Sequence, residues 1–147
     1  MKTNIGARQL LILVVEDDRE ISRLIRHNLE NKSTEVIEAA TGLDGIRVLR
    51  EMRVDLVLLD LKLPDFNGWG ILSLLRLTEP LRNIPVVVTS IEPPNTALVE
   101  RLKPNDYIQK PFDMRDLLTR VRKVINSGVL TNDSLTSLKD GGAYESH

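Results

Sequence analysis

Two apolar runs of this chain end on acidic residues, and they constrain its fold more than any other feature. Residues 10–15 are all Leu, Ile or Val and run directly into the acids at 16–18, while residues 56–59 run into Asp60. Neither run has the polar alternation of a half-solvated strand, so both are predicted to be buried strands of a parallel sheet. In an open α/β sheet, ligands bind at the carboxyl ends of the strands, where these acids would converge. Because clustered carboxylates need a cation to stay ionised together, the pattern predicts a hard-metal site with one carboxylate available for chemistry.

The remainder of the chain alternates between strand and helix patterns. The fourth helix is expected over residues 94–102 with Pro94 near its first turn, and the fifth, over 114–125, is the clearest amphipathic helix. Five strand–helix units imply a parallel sheet with helices on both faces and right-handed crossovers. The predicted strands are residues 10–15, 35–39, 56–60, 85–90 and 107–108.

Length and composition predict one folded domain with short flanking segments. The chain has 147 residues, which is a one-domain length. Residues 1–9 are polar and are interpreted as an N-terminal extension, and residues 10–127 as the domain. Residues 128–147 are rich in Gly, Ser, Thr, Asn and Asp, so they are predicted to form a mostly flexible tail.

Charge and rare residues exclude several function classes. The formal net charge of −1 gives no electrostatic case for nucleic acid binding. Cysteine is absent, which excludes disulfides and thiolate chemistry, and the positions of His27 and His147 argue against a histidine metal site. No apolar stretch is long enough for a membrane span or a signal peptide, so a cytoplasmic protein is expected.

The strand ends also carry groups suited to phosphoryl transfer. Mg²⁺ prefers oxygen ligands and is usually held by one or two carboxylates together with phosphate oxygens. A carboxylate beside such an ion can attack phosphorus and form an acyl phosphate. Transfer then requires positioning and neutralisation of charge, which a lysine and a hydroxyl can supply. Lys110 follows the fifth predicted strand, and Thr89 and Ser90 end the fourth.

With these residues, the chain resembles the receiver domain of two-component response regulators, from about residue 10 to residue 125. Pro64 lies four residues after Asp60 and Gly68 lies eight after it, as in that family. Lys110 is followed by Pro and Phe, and Tyr107 stands three residues before it, at the position of the family's switch aromatic. The resemblance implies a flavodoxin-like, doubly wound sheet of five parallel strands in the order 2-1-3-4-5 with five helices.

The resemblance also implies a role for each matched position. Asp60 would accept the phosphoryl group, Lys110 would pair with it, and Tyr107 would act as the switch residue. The Mg²⁺ ligands would be Glu16, Asp17, Asp60 and the backbone carbonyl of Lys62. Implied partners are a sensor histidine kinase or phosphotransfer protein and a downstream protein, and a weak homodimer is compatible with the resemblance.

Two departures from the family pattern concern the segment after strand four. Counting without gaps from Asp60 places the switch hydroxyl at Ser90, although Thr89 would leave a small residue after the hydroxyl, as the family prefers. The stretch 90–110 is about two residues shorter than usual and has Lys-Pro at 103–104 where the family prefers Gly-Ala. The surface that usually switches and dimerises is therefore expected to be atypical.

Three hypotheses for function follow. The first is a single-domain phosphorylation switch or phosphorelay intermediate, which catalyses only its own aspartyl phosphorylation and dephosphorylation. The second is a degenerate receiver that serves as an unphosphorylated interaction module. The third, a phosphatase of the haloacid-dehalogenase type, would need an acid two residues after Asp60, where this chain has Lys62. Asp18 is expected to cap the first helix and not to join the acidic cluster.

Overall fold

The computed structural model describes residues 9–127, and within them five strands alternate with five helices. Apart from Gln9, the predicted N-terminal extension lies outside the described residues, as does the whole predicted tail at 128–147. The strands are β1 (Leu10–Val15), β2 (Thr34–Ala39), β3 (Leu56–Asp60), β4 (Val86–Ser90) and β5 (Asp106–Gln109). The helices are α1 (Arg19–Leu29), α2 (Gly42–Glu51), α3 (Gly68–Leu77), α4 (Thr96–Leu102) and α5 (Met114–Ile125).

The sheet has the predicted topology. Its order is β2-β1-β3-β4-β5, and every neighbouring pair is parallel. β1 and β3 lie side by side, since Val15 is aligned with Leu59 at their carboxyl ends. The strand order therefore reverses next to β1, and this places the acids after β1 beside the acid that ends β3.

Successive residues of the central strands face two separate hydrophobic cores. Leu11, Leu13 and Val15 pack in the core that also contains residues of α2, α3 and α4. Ile12 and Val14 pack in the core shared with α1 and α5. Full burial of a Leu, Ile or Val side chain contributes about 1.5–3 kcal/mol, so cores on both faces hold these strands firmly. This two-sided burial explains why the strands show no polar alternation in the sequence.

All five helices begin at a polar residue whose side chain accepts a backbone N–H from the first turn. Asp18 caps α1 by accepting from Glu20 and Ile21, as predicted. The predicted start of the fourth helix is wrong, because Asn95 supplies the cap and Pro94 lies before it, outside the first turn. The capping residues are Asp18, Thr41, Asn67, Asn95 and Asp113.

Candidate functional site

The acids singled out by the sequence converge at the carboxyl edge of the sheet. Glu16 and Asp17 follow β1, and Asp60 is the last residue of β3. One carboxylate oxygen from each of the three lies within 4.8 Å of the others. Glu16 and Asp60 are buried, whereas Asp17 is exposed, so the cluster opens to solvent on the Asp17 side.

Lys110 brings a positive charge into this cluster from the end of β5. Its Nζ donates hydrogen bonds to Glu16 Oε1 at 3.0 Å and to Asp60 Oδ2 at 3.1 Å. Its backbone N–H donates to the carbonyl of Ser90 at 2.7 Å, which fixes the start of its side chain against β4. One ammonium group therefore joins three strands that are far apart in the sequence.

The remaining oxygens of the two buried carboxylates are bonded to backbone N–H groups. Asp60 Oδ1 accepts from the N–H of Lys62 at 3.0 Å, and Glu16 Oε2 accepts from the N–H of Asp18 at 3.0 Å. Every oxygen of Glu16 and Asp60 thus has a donor. Such contacts fix the orientation of both groups, which is what a site for phosphoryl transfer requires.

The burial of the cluster shifts the ionisation of two of its members. Desolvation raises the pKa of Glu16, with a smaller push from the charge of Asp60, and the bonds from Asp18 and Lys110 only partly oppose it. Burial by itself would lower the pKa of Lys110, but the hydrogen bonds and charges of Glu16 and Asp60 outweigh it and raise the pKa. Both pKa values rise, with opposite consequences: the raised pKa of Lys110 favours its charged form, whereas the raised pKa of Glu16 disfavours its charged form.

The donor set suits a hard divalent cation. Three carboxylates offer oxygen atoms only, and one of them faces solvent, from which a cation could keep bound waters. The predicted contribution of the Lys62 carbonyl stays a prediction, since the described contacts of that residue are made by its N–H and its side chain.

The loop after Asp60 is packed tightly against the end of β3. A Cβ atom on Gly68 would lie 2.6 Å from the carbonyl oxygen of Asp60 and 2.6 Å from the Cα of Leu61. Only glycine allows α3 to begin this close to the strand. The Asp65 carboxylate accepts the N–H groups of Gly42 and Leu43 at 2.8 and 3.0 Å, so the loop is also tied to α2.

Both candidate hydroxyls are buried at the end of β4. Thr89 is aligned with Asp60 across the sheet, and Ser90 is aligned with Gln109. Ser90 Oγ accepts the N–H of Glu92 at 3.0 Å. The hydroxyl of Tyr107 donates to the carbonyl of Glu92 at 2.8 Å, so Ser90 and Tyr107 contact the same residue.

A family model for the response regulator receiver domain matches residues 12–122, which include all of these side chains. The chain belongs to the response regulator receiver family. Receiver domains are signalling switches and not conventional enzymes, and membership implies a histidine kinase or phosphotransfer protein as partner. No helix within residues 9–127 combines the length and the apolar character needed to cross a bilayer.

Named relatives agree with the assignment. The uncharacterized transcriptional regulatory protein YcbL of Bacillus subtilis is 37% identical over 115 residues, covering 77% of this chain and 50% of its own. The transcriptional regulatory protein KdpE of Mycobacterium tuberculosis is 38% identical over 119 residues, covering 78% and 50%. The CheY-like receiver domain protein of Methanospirillum hungatei has a TM-score of 0.72 at 27% identity, covering 80% of this chain and 94% of its own. This receiver chain therefore spans about half the length of its curated relatives.

Three polar residues with extensive contacts were not singled out from the sequence: two lie near the receiver site, and the third, Arg76, lies near the opposite edge of the sheet, where it also contacts the carbonyl of Ile84 before β4. Asp65 ties the Asp60 loop to α2, Glu92 joins Ser90 to Tyr107, and the Arg76 guanidinium donates to backbone carbonyls at the end of α4. Only Asp65 had a local signal, since it follows Pro64 in a predicted loop. The contacts of the other two depend on loops that meet only in the folded chain.

Proposed function

We propose that this receiver is a phosphorylation-dependent switch in which Asp60 accepts a phosphoryl group from a histidine kinase or phosphotransfer protein. The observation that carries the proposal is the position of Lys110 Nζ, within hydrogen-bond distance of both Asp60 and Glu16. A lysine solvated at the surface would not be drawn into a carboxylate cluster in this way. The same position lets it neutralise charge on a phosphoryl group attached to Asp60.

In the proposed reaction a carboxylate oxygen of Asp60 attacks the phosphorus of a phosphohistidine. The new O–P bond forms as the P–N bond breaks, and the imidazole nitrogen of the donor keeps the electron pair. Lys110 neutralises the negative charge that develops on the equatorial phosphoryl oxygens, while the N–H of Lys62 keeps the Asp60 carboxylate oriented by a hydrogen bond. Mg²⁺, held by Glu16, Asp17 and Asp60, would neutralise the charge on the incoming phosphoryl oxygens.

The added group carries a charge of about −1.5 to −2 at neutral pH, and a switch needs surrounding residues that change their contacts in response to it. We assign the switch hydroxyl to Ser90 and keep Thr89 as the alternative. The contacts of Ser90 support the assignment, because through Glu92 it is linked to the hydroxyl of Tyr107. Hydrogen bonding of Ser90 to the phosphoryl group would disturb that link and bias the position of Tyr107, which is a change of population and not a new fold.

The finer parts of the hypothesis stay predictions. They are the single-domain organisation with a domain over residues 10–127, the cytoplasmic location and the output through a separate protein partner. The curated relatives are transcriptional regulators of which the matched part covers about half, and a DNA-binding output is not carried over from them.

The test is the intact mass of the protein after incubation with acetyl phosphate and Mg²⁺. The wild type should gain one phosphoryl group that hydroxylamine removes, and Asp60→Asn should gain none. Asp44→Asn is the matched control, because it removes an exposed carboxylate of α2 outside the site and should be modified like the wild type. Modification that persists in Asp60→Asn, or none even with a kinase supplied, would favour the unphosphorylated interaction module.

A further inference from the structure

Glu92 contacts three parts of the molecule that surround the phosphoacceptor. Its backbone N–H donates to Ser90 Oγ at 3.0 Å, and its carbonyl accepts from the Tyr107 hydroxyl at 2.8 Å. Its carboxylate forms an ion pair with Lys62 Nζ at 3.6 Å. One residue of the loop between β4 and α4 is therefore connected to both hydroxyl groups of the proposed switch and to the loop that follows Asp60.

Lys62 is attached to the phosphoacceptor through its backbone. Its N–H donates to Asp60 Oδ1 at 3.0 Å, so its side chain starts beside the carboxylate that would carry the phosphoryl group. The side chain is 61% exposed, as is that of Glu92, and four flexible methylene groups let the ammonium move without any change in the backbone.

The ion pair between Lys62 and Glu92 is weak enough to be exchanged. An exposed pair of this kind contributes little, because water screens it and two long side chains must be held in place. A phosphoryl group on Asp60 would present a nearly doubly charged partner with three acceptor oxygens close to the start of the Lys62 side chain. The Lys62 ammonium should therefore bind the phosphoryl group in preference to the single carboxylate of Glu92.

We propose that Lys62 exchanges partners on phosphorylation, from the carboxylate of Glu92 to the phosphoryl group on Asp60. The exchange breaks the ion pair of the Glu92 side chain. Of the three described contacts of Glu92, only the backbone hydrogen bonds to the hydroxyl groups of Ser90 and Tyr107 then remain. Lys62 is thus a positioning residue that couples the charge on Asp60 to the Ser90 and Tyr107 contacts. The inference rests on the proposed function of Asp60.

The experiment is a double-mutant cycle on the binding of beryllofluoride with Mg²⁺, a stable mimic of the phosphoryl group on a carboxylate. Trp69 is the single tryptophan and stacks on Tyr107 with ring centroids 6.2 Å apart, so its fluorescence reports on the switch. The proteins are wild type, Lys62→Met, Glu92→Gln and the double variant. Methionine keeps the backbone N–H to Asp60, and glutamine keeps the shape of Glu92.

Lys62→Met should weaken beryllofluoride binding by about two- to five-fold, and Glu92→Gln should tighten it by a similar factor, as expected for one exposed ion pair. In the double variant the gain from Glu92→Gln should disappear, because no ammonium remains to be released. Glu100→Gln removes the same charge from the exposed face of α4 and should leave the affinity unchanged.

Two results would overturn the exchange while leaving the proposed function intact. One is equal binding by wild type and Lys62→Met. The other is an undiminished effect of Glu92→Gln in the Lys62→Met background, which would mean that Glu92 acts only as a nearby negative charge. A wild type that binds no beryllofluoride at all would instead refute the proposed function of Asp60, and the exchange with it.

Discussion

At the scale of single residues, the acidic site is held together by Lys110. Its side chain is only 15% exposed and its ammonium touches two buried carboxylates. Burying an ion pair gives little net stability, because desolvation offsets the attraction, yet removing one partner leaves charges that nothing compensates. Glu16 and Asp60 without Lys110 would be two such charges, so the stability of this edge of the sheet depends on the lysine whenever the carboxylates are ionised.

Lys110→Met should therefore lower the free energy of unfolding at pH 7 by up to about 3 kcal/mol, near the low end of the cost of breaking a buried pair. The loss should shrink as the pH falls. Without the lysine, the already raised pKa of Glu16 rises further, so the folded state binds more protons than the unfolded state and gains stability on acidification. Urea unfolding in EDTA at pH 7.5 and pH 5 measures the difference. Lys123→Met, an exposed change on α5, is the control, and a pH-independent gap would contradict the prediction.

Asp17 is the exposed member of the cluster, and we expect it to lower the stability of the fold while it strengthens Mg²⁺ binding. Asp17→Asn removes one like charge, so without Mg²⁺ it should raise stability by about 0.2–1 kcal/mol, the range for exposed charges. The same change should weaken Mg²⁺ binding by roughly ten-fold or more, since even outer partners of a metal site cost that much. Calorimetry and thermal unfolding give the two values. Asp18→Asn should leave Mg²⁺ affinity close to that of the wild type, because asparagine still caps α1.

At the scale of elements, a glycine allows α3 to begin directly against the end of β3. Gly68→Ala places a methyl group 2.6 Å from backbone atoms of Asp60 and Leu61, which cannot rotate away. The backbone must shift, at a cost of about 1–3 kcal/mol, and Asp60 must move with it. Gly70→Ala on the same helix meets nothing within 4 Å and should stabilise by about 1 kcal/mol through helix propensity. Chemical denaturation of both variants tests the pair, and equal effects would mean that the close approach is unimportant.

The elements themselves could be predicted because their signals are local. Buried runs and apolar periodicity placed the strands and helices, whereas the structure of the segment after β4 could not be predicted from the sequence. The structure shows how it closes: Lys103 has a left-handed backbone with φ of 51°, which costs a non-glycine residue about 1–2 kcal/mol. Arg76 donates to the carbonyls of Leu102 and Lys103 at 2.9 and 3.1 Å. These contacts join residues 26 and 27 positions apart, so no local pattern announces them.

At the scale of the whole molecule, the candidate site could be predicted in part because the sheet topology brings its residues together. Parallel strands with acids and a lysine at their carboxyl ends must bring those groups to one edge, so the convergence of Glu16, Asp60 and Lys110 could be predicted from the sequence. Glu92 could not be predicted, and for Asp65 the sequence indicated only a position in a loop, since both act through contacts that the strand pattern does not determine. The output of the receiver is a different matter, because the chain covers about half the length of its curated relatives, and what those whole proteins do does not carry over to it.

The dependence of the site on the complete fold gives the last prediction. Lys110 is 94 residues from Glu16 and 50 from Asp60, so the unfolded chain has no site, and a ligand of the site stabilises only the folded state. Mg²⁺ with beryllofluoride at about one hundred times its dissociation constant should add about 2.7 kcal/mol to the free energy of unfolding. For a domain of this size that is a rise in Tm of roughly 5–15 °C. Scanning calorimetry should show the rise in the wild type and none from beryllofluoride in Asp60→Asn, which lacks the acceptor oxygen. An equal rise in both proteins would mean that the ligand binds somewhere other than the Asp60 carboxylate.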